Sequence, residues 1–307
     1  VCMMAGTASL PHVMMRYFTT PSVKSARRSV GWSLFFIFLL YSSAPMLATL
    51  SKLSLMDPNL ATGIIGKSIA DVQALDWYQN WNQANLMFVS DFNGNGTLEL
   101  NEFFMGGKAV VLATPEIAGL PYVISGLVAA GGMAAAMSTA DGLVLAIANA
   151  LSHDLYYKII DPKAETAKRL IVARVLLVVI GFAGATIAAL EIQGILGSVI
   201  WAFDFAMSGL FFPLVLGVWW KRANAQGAVA GMLLGLASGT AYLIWVRTGG
   251  AGFWGVTQLT FGIVGSLVSL VSMVVVSLMT KAPDAATQRM VDEVRVPSGK
   301  TVLGKQH

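Results

Sequence analysis

Charged residues are scarce in this chain of 307 residues: only 12% are Asp, Glu, Lys or Arg, whereas 56% are hydrophobic. A soluble globular protein carries about 25% charged residues. Folded in water, so apolar a chain would expose hydrophobic surface far beyond the few hundred Å² that soluble monomers tolerate. The composition therefore excludes a soluble enzyme and, with a mean hydropathy of +0.68, indicates a membrane protein.

Cysteine is almost absent as well, and the single Cys2 excludes a disulfide within the chain. The pI is about 9.2, but the basic residues are scattered between apolar runs without a basic block, so we expect no nucleic-acid partner. The sequence opens at Val1 and has no charged segment followed by a cleavage site. We therefore expect the chain to be the C-terminal part of a longer protein.

Long apolar runs dominate what is present. About 20 apolar residues are needed to cross a bilayer core of about 30 Å. Six complete spans are predicted, at 32–50, 122–151, 170–190, 195–220, 226–246 and 257–280. Residues 1–8 are expected to be the end of a truncated transmembrane helix. The fold class predicted is an all-α polytopic membrane protein, embedded in the lipid bilayer of the cell (inner or plasma) membrane.

The distribution of basic residues predicts the orientation of these spans, because cytoplasmic loops are enriched in Lys and Arg. Alternate connections place fifteen of the 20 basic residues on one side and four on the other. The loop 9–31 and the tail 281–307 lie on the basic side and are predicted to be cytoplasmic. The segment 51–117 is then extracytoplasmic, and it carries seven acids against three lysines.

Small residues recur every four positions on two spans. The stripes are Gly227, Gly231, Gly235 and Gly239 on one span, and Ser138, Gly142, Ala146 and Ala150 on another. Such stripes allow helix backbones to approach closely within a membrane. Packing inside the bundle is the simplest interpretation, and a dimer interface is the alternative.

Two hydroxyl groups lie near the middle of the second span, on Ser138 and Thr139. Ala135 precedes them by three and four residues, which places its carbonyl on the same face of a helix. A carbonyl and two hydroxyls supply oxygen ligands for a hard cation. The alternative is that both hydroxyls bond back to their own helix, as Ser and Thr often do in membrane helices.

Three motifs carry a resemblance to a known family. They are Gly6-Thr-Ala-Ser-Leu-Pro-His-Val-Met-Met-Arg-Tyr-Phe18 with Ala26-Arg-Arg28, then Met137-Ser-Thr-Ala-Asp141 continuing to Ala150-Leu-Ser-His-Asp-Leu-Tyr156, and Phe212-Pro213 through Trp220-Lys-Arg222 with Gly227-Ala228. These motifs resemble the sodium:solute symporter family. The Leu-Pro-His and Ser-His-Asp-Leu-Tyr forms are most similar to its cation/acetate symporter branch.

This resemblance implies the leucine-transporter fold, two inverted five-helix repeats with the site at the bilayer midplane. The chain would supply the second-half helices. The family's eighth-helix sodium ligands correspond to the Ala135 carbonyl and the Ser138 and Thr139 hydroxyls, whereas the first-helix ligands and most substrate contacts are absent from this sequence. The implied function is sodium-coupled import of a small organic solute by alternating access, with a monocarboxylate such as acetate as the expected substrate.

Two acids fall within predicted spans, Asp141 and Asp204. A carboxyl group at membrane depth is costly and therefore marks a candidate for ion coupling or substrate contact. A buried structural hydrogen bond is the alternative for Asp204, and for Asp141, which lies two residues past Thr139, a structural role is favoured.

The extracytoplasmic segment contains a twelve-residue pattern, Asp91-Phe-Asn-Gly-Asn-Gly-Thr-Leu-Glu-Leu-Asn-Glu102, which fits the EF-hand calcium loop. The predicted calcium ligands are side chains of Asp91, Asn93, Asn95, Glu99 and Glu102 and the carbonyl of Thr97. Amphipathic stretches at 77–89 and 100–111 are expected to be the flanking helices. The alternative is a Gly- and Asn-rich turn in which the acids occur by chance.

Only one such loop is present and it has few charged ligands, so a dissociation constant on the order of 10⁻⁴ to 10⁻³ M is expected. Calcium would then stiffen an external lid or bias its closure. A membrane-embedded calcium-responsive sensor on a transporter scaffold is the alternative function. No nucleophile–base pair or His/Cys/Glu cluster in the sequence indicates an enzyme, and the sequence leaves the oligomeric state open.

Overall fold

The computed structural model describes residues 1–190 and 192–295, which form two compact units. One unit comprises residues 1–27 together with the chain from residue 141 onwards, and the other comprises residues 28–140. The end of the predicted cytoplasmic tail, residues 296–307, lies outside the described residues.

The elements follow one another in this order: α1 (Cys2–Ser9), α2 (Pro11–Met15), a 3₁₀ turn (Arg16–Thr19), α3 (Val23–Met56), α4 (Ile69–Gln73), α5 (Asp76–Gln83), β1 (Met87–Val89), a 3₁₀ turn (Leu100–Glu102), β2 (Phe103–Met105), α6 (Val110–Ile117), α7 (Tyr122–Asn149), a π-helix (Ala150–Ile160), α8 (Thr166–Ala189), α9 (Ile195–Ala206), a π-helix (Met207–Phe211), α10 (Phe212–Trp219), α11 (Ala225–Arg247), α12 (Gly262–Met279) and α13 (Ala285–Arg295).

Six helical segments in the described part of the chain are long and apolar enough to cross a membrane. They are Val23–Met56, Tyr122–Ile160, Thr166–Ala189, Ile195–Trp219, Ala225–Arg247 and Gly262–Met279. Strand is confined to one short hairpin among the described residues. The prediction of a helical polytopic membrane protein is therefore confirmed.

The glycine stripe of α11 faces the neighbouring helix α12. All four glycines are buried, and a Cβ on Gly231 would lie 3.0 Å from the Cβ of Met273. Ser269 and Ser277 of α12 are buried beside the stripe. Since the hydrophobic effect gives helices no drive to associate in lipid, this close approach is what lets van der Waals contact hold the pair. The interpretation of this stripe as packing inside the bundle is confirmed.

The short helix α1 packs against α9 in the same unit. A Cβ on Gly6 would come within 2.7 Å of the Cβ of Phe203, so the two backbones approach closely. Cys2 and Ala5 of α1 form a small buried cluster with Met207, which directly follows α9. This contact encloses the part of α9 that carries Asp204.

The segment between α3 and α7 has a hydrophobic core of its own. The core residues are Leu55, Ile64, Val72, Tyr78, Met87, Leu98, Ala109, Ala113 and Ile117. Strands β1 and β2 pair antiparallel with Phe88 opposite Phe104, and these two rings stack with their centroids 4.7 Å apart. The hairpin thus holds the two ends of the candidate calcium loop together.

The prediction of EF-hand helices at 77–89 and 100–111 is wrong. Helix α5 ends at Gln83, because Asn85 adopts a left-handed conformation with φ of +55° that stops the helix. Residues 87–89 and 103–105 form the β-hairpin instead, and Gly106 and Gly107 separate it from α6. The loop is therefore flanked by strands rather than by two helices.

Candidate functional site

The proposed sodium ligands lie on the exposed surface of α7. The Thr139 hydroxyl donates a hydrogen bond to the Ala135 carbonyl at an Oγ1–O distance of 3.5 Å, which is long for such a bond. Ser138 makes no side-chain hydrogen bond to any described residue. The structure thus brings Ala135 and Thr139 together, places the Ser138 hydroxyl next to them, and leaves both hydroxyls with capacity for a ligand.

Asp141 has a different environment from Asp204. Asp141 is exposed on α7, and no described residue pairs with its carboxyl group. The helical offset of two residues from Thr139 points it to another face. The local geometry of α7 therefore does not join Asp141 to the three sodium candidates.

Asp204 is fully buried in the last turns of α9. Its carboxyl oxygens make no hydrogen bond of good geometry with the described residues. The Cys2 thiol and the backbone amides of Phe261 and Gly262 nevertheless lie close enough to interact with this carboxyl group. The N-terminus of α12 lies beside it, because a Cβ on Gly262 would stand 2.8 Å from Asp204 Oδ1. A buried carboxyl group that lacks well-formed hydrogen bonds is costly, so Asp204 is a candidate for coupling or substrate contact as well as for a structural role.

The backbone changes its helical geometry immediately after Asp204. Residues Met207–Phe211 form a π-helix between α9 and α10. The Ser208 hydroxyl donates to the Asp204 carbonyl at 2.7 Å, and Ser208 is itself fully buried. π-Segments within helices occur frequently at functional sites. No pattern in the sequence predicts this irregularity.

The candidate calcium loop has the turns that the EF-hand pattern requires. Gly94 and Gly96 adopt positive φ angles of +72° and +70°, which glycine allows at no steric cost. The Asp91 carboxylate accepts hydrogen bonds from the Gly94 and Gly96 amides, at 2.7 and 3.1 Å. Asn93 Oδ1 accepts from the Asn95 amide at 2.9 Å, and these bonds curl the chain around one centre.

Of the six predicted calcium ligands, Asn93, Asn95 and Glu99 contact one another, whereas the Glu102 carboxylate is bonded to backbone amides. Glu99 Oε1 accepts from the side-chain amides of Asn93 and Asn95, at 2.9 and 3.1 Å. Both oxygens of the buried Glu102 carboxylate accept backbone amides, from Phe92 and Glu99, each at 3.0 Å. No described residues form a cluster of three or more His, Cys, Asp or Glu that could hold a metal. Calcium would therefore have to replace the amide donors around Glu99.

The candidate calcium loop also forms backbone hydrogen bonds with the segment before α4, which its sequence pattern does not predict. EF-hand loops pair with a second loop, and here the segment before α4 takes that place. Leu98 accepts a backbone hydrogen bond from Gly66 at 2.9 Å and donates one to Lys67 at 2.8 Å, while the Gly96 carbonyl accepts from Ile69 at 2.9 Å. The Leu98 side chain is fully buried in the core of this segment. These contacts fix one side of the loop without a second calcium site.

Charged contacts surround the ends of the membrane helices. The Lys168 ammonium lies 3.0 Å from Asp161 and holds the pKa of that carboxyl group below its ordinary value. In α13, Asp292 pairs with Lys221 at 2.8 Å and with Arg295 at 2.7 Å. These cations lower the pKa of Asp292, and the hydrogen bond from Lys221 is the main cause.

The comparison with known families matches the part of the chain that carries these sites. The model of the sodium:solute symporter family matches residues 108–235, a stretch that includes α7, Asp204 and two of the three resemblance motifs. The resemblance to this family, over part of the transporter, is thereby confirmed.

Two curated relatives extend the match beyond that stretch. An uncharacterized symporter of Cupriavidus necator is 41% identical over 304 residues, covering 96% of this chain and 44% of the relative. A monocarboxylic acid transporter of Corynebacterium glutamicum is 27% identical over 235 residues, covering 76% of this chain and 35% of the relative. The chain thus spans less than half the length of these relatives.

Proposed function

We propose that the chain is the second half of a sodium-coupled symporter that imports a small monocarboxylate by alternating access. The observation that carries this proposal is the oxygen-bearing face of α7 within the stretch that matches the symporter family. The monocarboxylic acid transporter among its relatives supports the substrate class. Acetate is a small member of that class and fits the branch that the Leu-Pro-His motif resembles.

In this proposal, sodium binds the Ala135 carbonyl and the Ser138 and Thr139 hydroxyls. The long Thr139–Ala135 hydrogen bond is weak, so its replacement by an ion costs little. Small residues on this face leave the Ala135 carbonyl open to a ligand. The remaining sodium ligands, and most substrate contacts, would come from the other half of the transporter that the family resemblance implies.

Asp204 is our candidate for a second role in coupling or substrate binding. Its burial without a well-formed hydrogen bond, one turn before a π-helix, supports this candidacy. Asp141 is the weaker candidate, because its exposed carboxyl group has no such environment.

We also propose that the loop 91–102 binds calcium in the extracytoplasmic segment. The glycine turns and the Asp91 and Asn93 bonds support it. The Thr97 carbonyl accepts no hydrogen bond from a described residue and is available as a ligand. The site would be weak, and calcium would act by stiffening the lid between α3 and α7 or by favouring its closure.

The orientation proposed for the chain rests on its charge distribution. With most Lys and Arg on one side, that side faces the cytoplasm and holds the C-terminal tail, while residues 51–117 face outward. The protein would therefore reside in the cell (inner or plasma) membrane with its calcium loop outside.

Solute flux into vesicles that contain the full-length protein tests the function. An inward sodium gradient should drive uptake of labelled acetate, and an equal potassium gradient should not. One sodium with one monoanion moves no net charge, so the membrane potential should leave the uptake unchanged, whereas a neutral substrate would gain about 2.3 kcal/mol per 100 mV. Absence of sodium-driven flux would overturn the transport proposal and favour the calcium-responsive sensor.

A further inference from the structure

A mostly apolar cavity lies within the unit formed by residues 28–140. It has a volume of about 520 Å³ and lies between the C-terminal turns of α3, strand β2 and the start of α6. Its walls include Leu55 and Met56 from α3, Phe103 and Met105 from β2, and Val110. Pockets of 300–1,000 Å³ with apolar walls and a few polar groups are typical binding sites for small molecules.

The secondary structure on both sides explains why this cavity is apolar. Ala48, Lys52 and Met56 recur every four residues and share one face of α3. Phe103 and Met105 are two residues apart and lie on the same face of β2. Behind them is the fully buried core around Leu98 and Ile64, which gives the cavity a fixed wall.

Lys52 is the only charged residue that lines the cavity. It forms no ion pair and no hydrogen bond with any of the described residues. The segment 51–117 holds seven acids, yet none of them neutralises this ammonium group. Because lysine packs its aliphatic stem on apolar surface and keeps its charge at the edge, Lys52 presents an unpaired cation at the mouth of an apolar cavity.

We propose that this cavity binds the free carboxylate form of a medium-chain fatty acid. The alkyl chain occupies the apolar cavity and the carboxylate pairs with the Lys52 ammonium. The site is distinct from the sodium residues of α7 and goes beyond the proposed transport function, since binding needs no gradient and no flux. The cavity volume admits a chain considerably longer than acetate, so affinity should rise about fourfold with each added methylene group until the cavity is full.

Binding of labelled decanoate to the full-length protein in phosphatidylcholine nanodiscs tests this proposal. Octanoate should compete less strongly than decanoate, and decylamine should not compete. Lys52→Gln should weaken decanoate binding at least tenfold, while Lys67→Gln, which removes the same charge from the same segment outside the cavity, should leave it unchanged. Equal affinity of the Lys52→Gln variant and the wild type would overturn the proposal.

A second variant, Ala48→Phe, separates the contribution of the apolar cavity to binding from that of the Lys52 charge. Ala48→Phe should block the cavity and weaken the binding of decanoate and of uncharged decanol alike, whereas Lys52→Gln should spare decanol. Thermal unfolding of each variant establishes that it is folded. Competition by decylamine as strong as that by decanoate would contradict the charge assignment. Decanoate binding in detergent that disappears in nanodiscs would show that a phospholipid fills the cavity, and it would also overturn the proposal.

Discussion

Gly235 of α11 and Ser269 of α12 lie so close that a Cβ on Gly235 would stand 2.7 Å from the Cβ of Ser269, and it would lie closer still to the Ser208 carbonyl oxygen. Real side chains do not tolerate that separation, so any residue larger than glycine must push the helices apart. We expect Gly235→Ala to destabilise the protein by about 1–3 kcal/mol, the usual cost of overpacking a close contact. Thermal unfolding of the purified protein in detergent should show a lower Tm.

Gly184→Ala is the matched control for this substitution. Gly184 lies in α8, where a Cβ would meet no atom within 4 Å. The Tm of this variant should equal or slightly exceed that of the wild type, because alanine favours helix over glycine. A Gly235→Ala protein with an unchanged Tm would contradict the close packing of α11 against α12 and against Ser208.

The oxygen-bearing face of α7 makes a prediction about sodium affinity. Ser138→Ala or Thr139→Ala removes one proposed ligand while leaving the helix intact, because both residues are exposed in the described structure. We expect the sodium concentration for half-maximal uptake to rise about tenfold, a loss of about 1.4 kcal/mol in ion binding. Uptake of labelled acetate at varied sodium measures this directly.

Thr186→Ala serves as the control for the sodium experiment. Thr186 is an exposed threonine of α8 whose hydroxyl bonds back to the Phe182 carbonyl at 2.9 Å, as Thr139 does to Ala135. Its loss should not alter the sodium requirement. If both threonine variants behave alike, Thr139 is not a sodium ligand.

Membrane helices and close helix contacts could be predicted from the sequence because both follow from local patterns. Runs of apolar residues reveal spans wherever they occur, and glycine at every fourth position reveals a face without side chains. The flanks of the calcium loop could not be predicted in this way. Phe88 and Phe104 lie sixteen residues apart and stabilise the hairpin only by stacking on each other. The amphipathic pattern of residues 77–89 contains no information about Phe104, the stacking partner of Phe88.

Among the candidate site residues, too, local features could be predicted from the sequence, whereas contacts with distant residues could not. The EF-hand pattern requires glycine at the position of Gly96 for a sharp turn, and the φ of +70° there agrees, because this requirement is local. The burial of Asp204 depends on α1 and α12, which are distant in sequence, so the sequence indicated its membrane depth but not the groups that surround it. The backbone hydrogen bonds of Leu98 with Gly66 and Lys67 likewise could not be predicted from the EF-hand motif.

Calcium should stabilise the protein if the loop 91–102 binds it. With a dissociation constant of about 1 mM, calcium at about 10 mM would add about 1.4 kcal/mol to the free energy of unfolding. Asp91→Asn combined with Glu102→Gln should abolish the Tm increase. Asp71→Asn, an exposed acid of α4 outside the loop, should retain it. Magnesium at equal concentration controls for ionic strength. A calcium-dependent Tm increase that remains in the double variant would exclude the loop 91–102 as the calcium site.

The pairing of Asp292 with Lys221 predicts an acid-sensitive contribution to stability. Its pKa is lowered in the folded state by Lys221, and then by Arg295. The contribution is therefore present above the ordinary Asp pKa of about 3.9 and is lost as the pH falls through the lower folded value. We expect Asp292→Asn to lower the Tm slightly at neutral pH and to match the wild type at acid pH.

Glu293→Gln provides the comparison for the Asp292 experiment. Glu293 is the neighbouring exposed acid of α13, and in the described structure it forms no ion pair. Its neutral variant should follow the wild type across the pH range. A Tm difference between Asp292→Asn and the wild type that persists at low pH would show that the effect arises from packing rather than from charge.

Asp204 makes the sharpest prediction about transport. Asparagine has nearly the same shape as aspartate, and its amide oxygen can still accept from the neighbouring Phe261 and Gly262 amides, so Asp204→Asn should fold and retain its Tm. If the carboxyl group takes part in coupling or substrate binding, uptake should fall at least tenfold. Asp154→Asn is the control, since Asp154 is exposed and pairs only with neighbours on its own helix.

The Tm and the uptake of the Asp204→Asn variant together distinguish a structural from a functional role for this carboxyl group. A lower Tm with reduced uptake would indicate a structural role, because the fold would then depend on the carboxyl group itself. An unchanged Tm with reduced uptake would support the functional role, and the rise or constancy of the half-maximal sodium concentration would separate ion coupling from substrate contact. Wild-type uptake by Asp204→Asn would remove Asp204 from the mechanism, and the buried carboxyl group beside Gly262 would then serve neither coupling nor substrate binding.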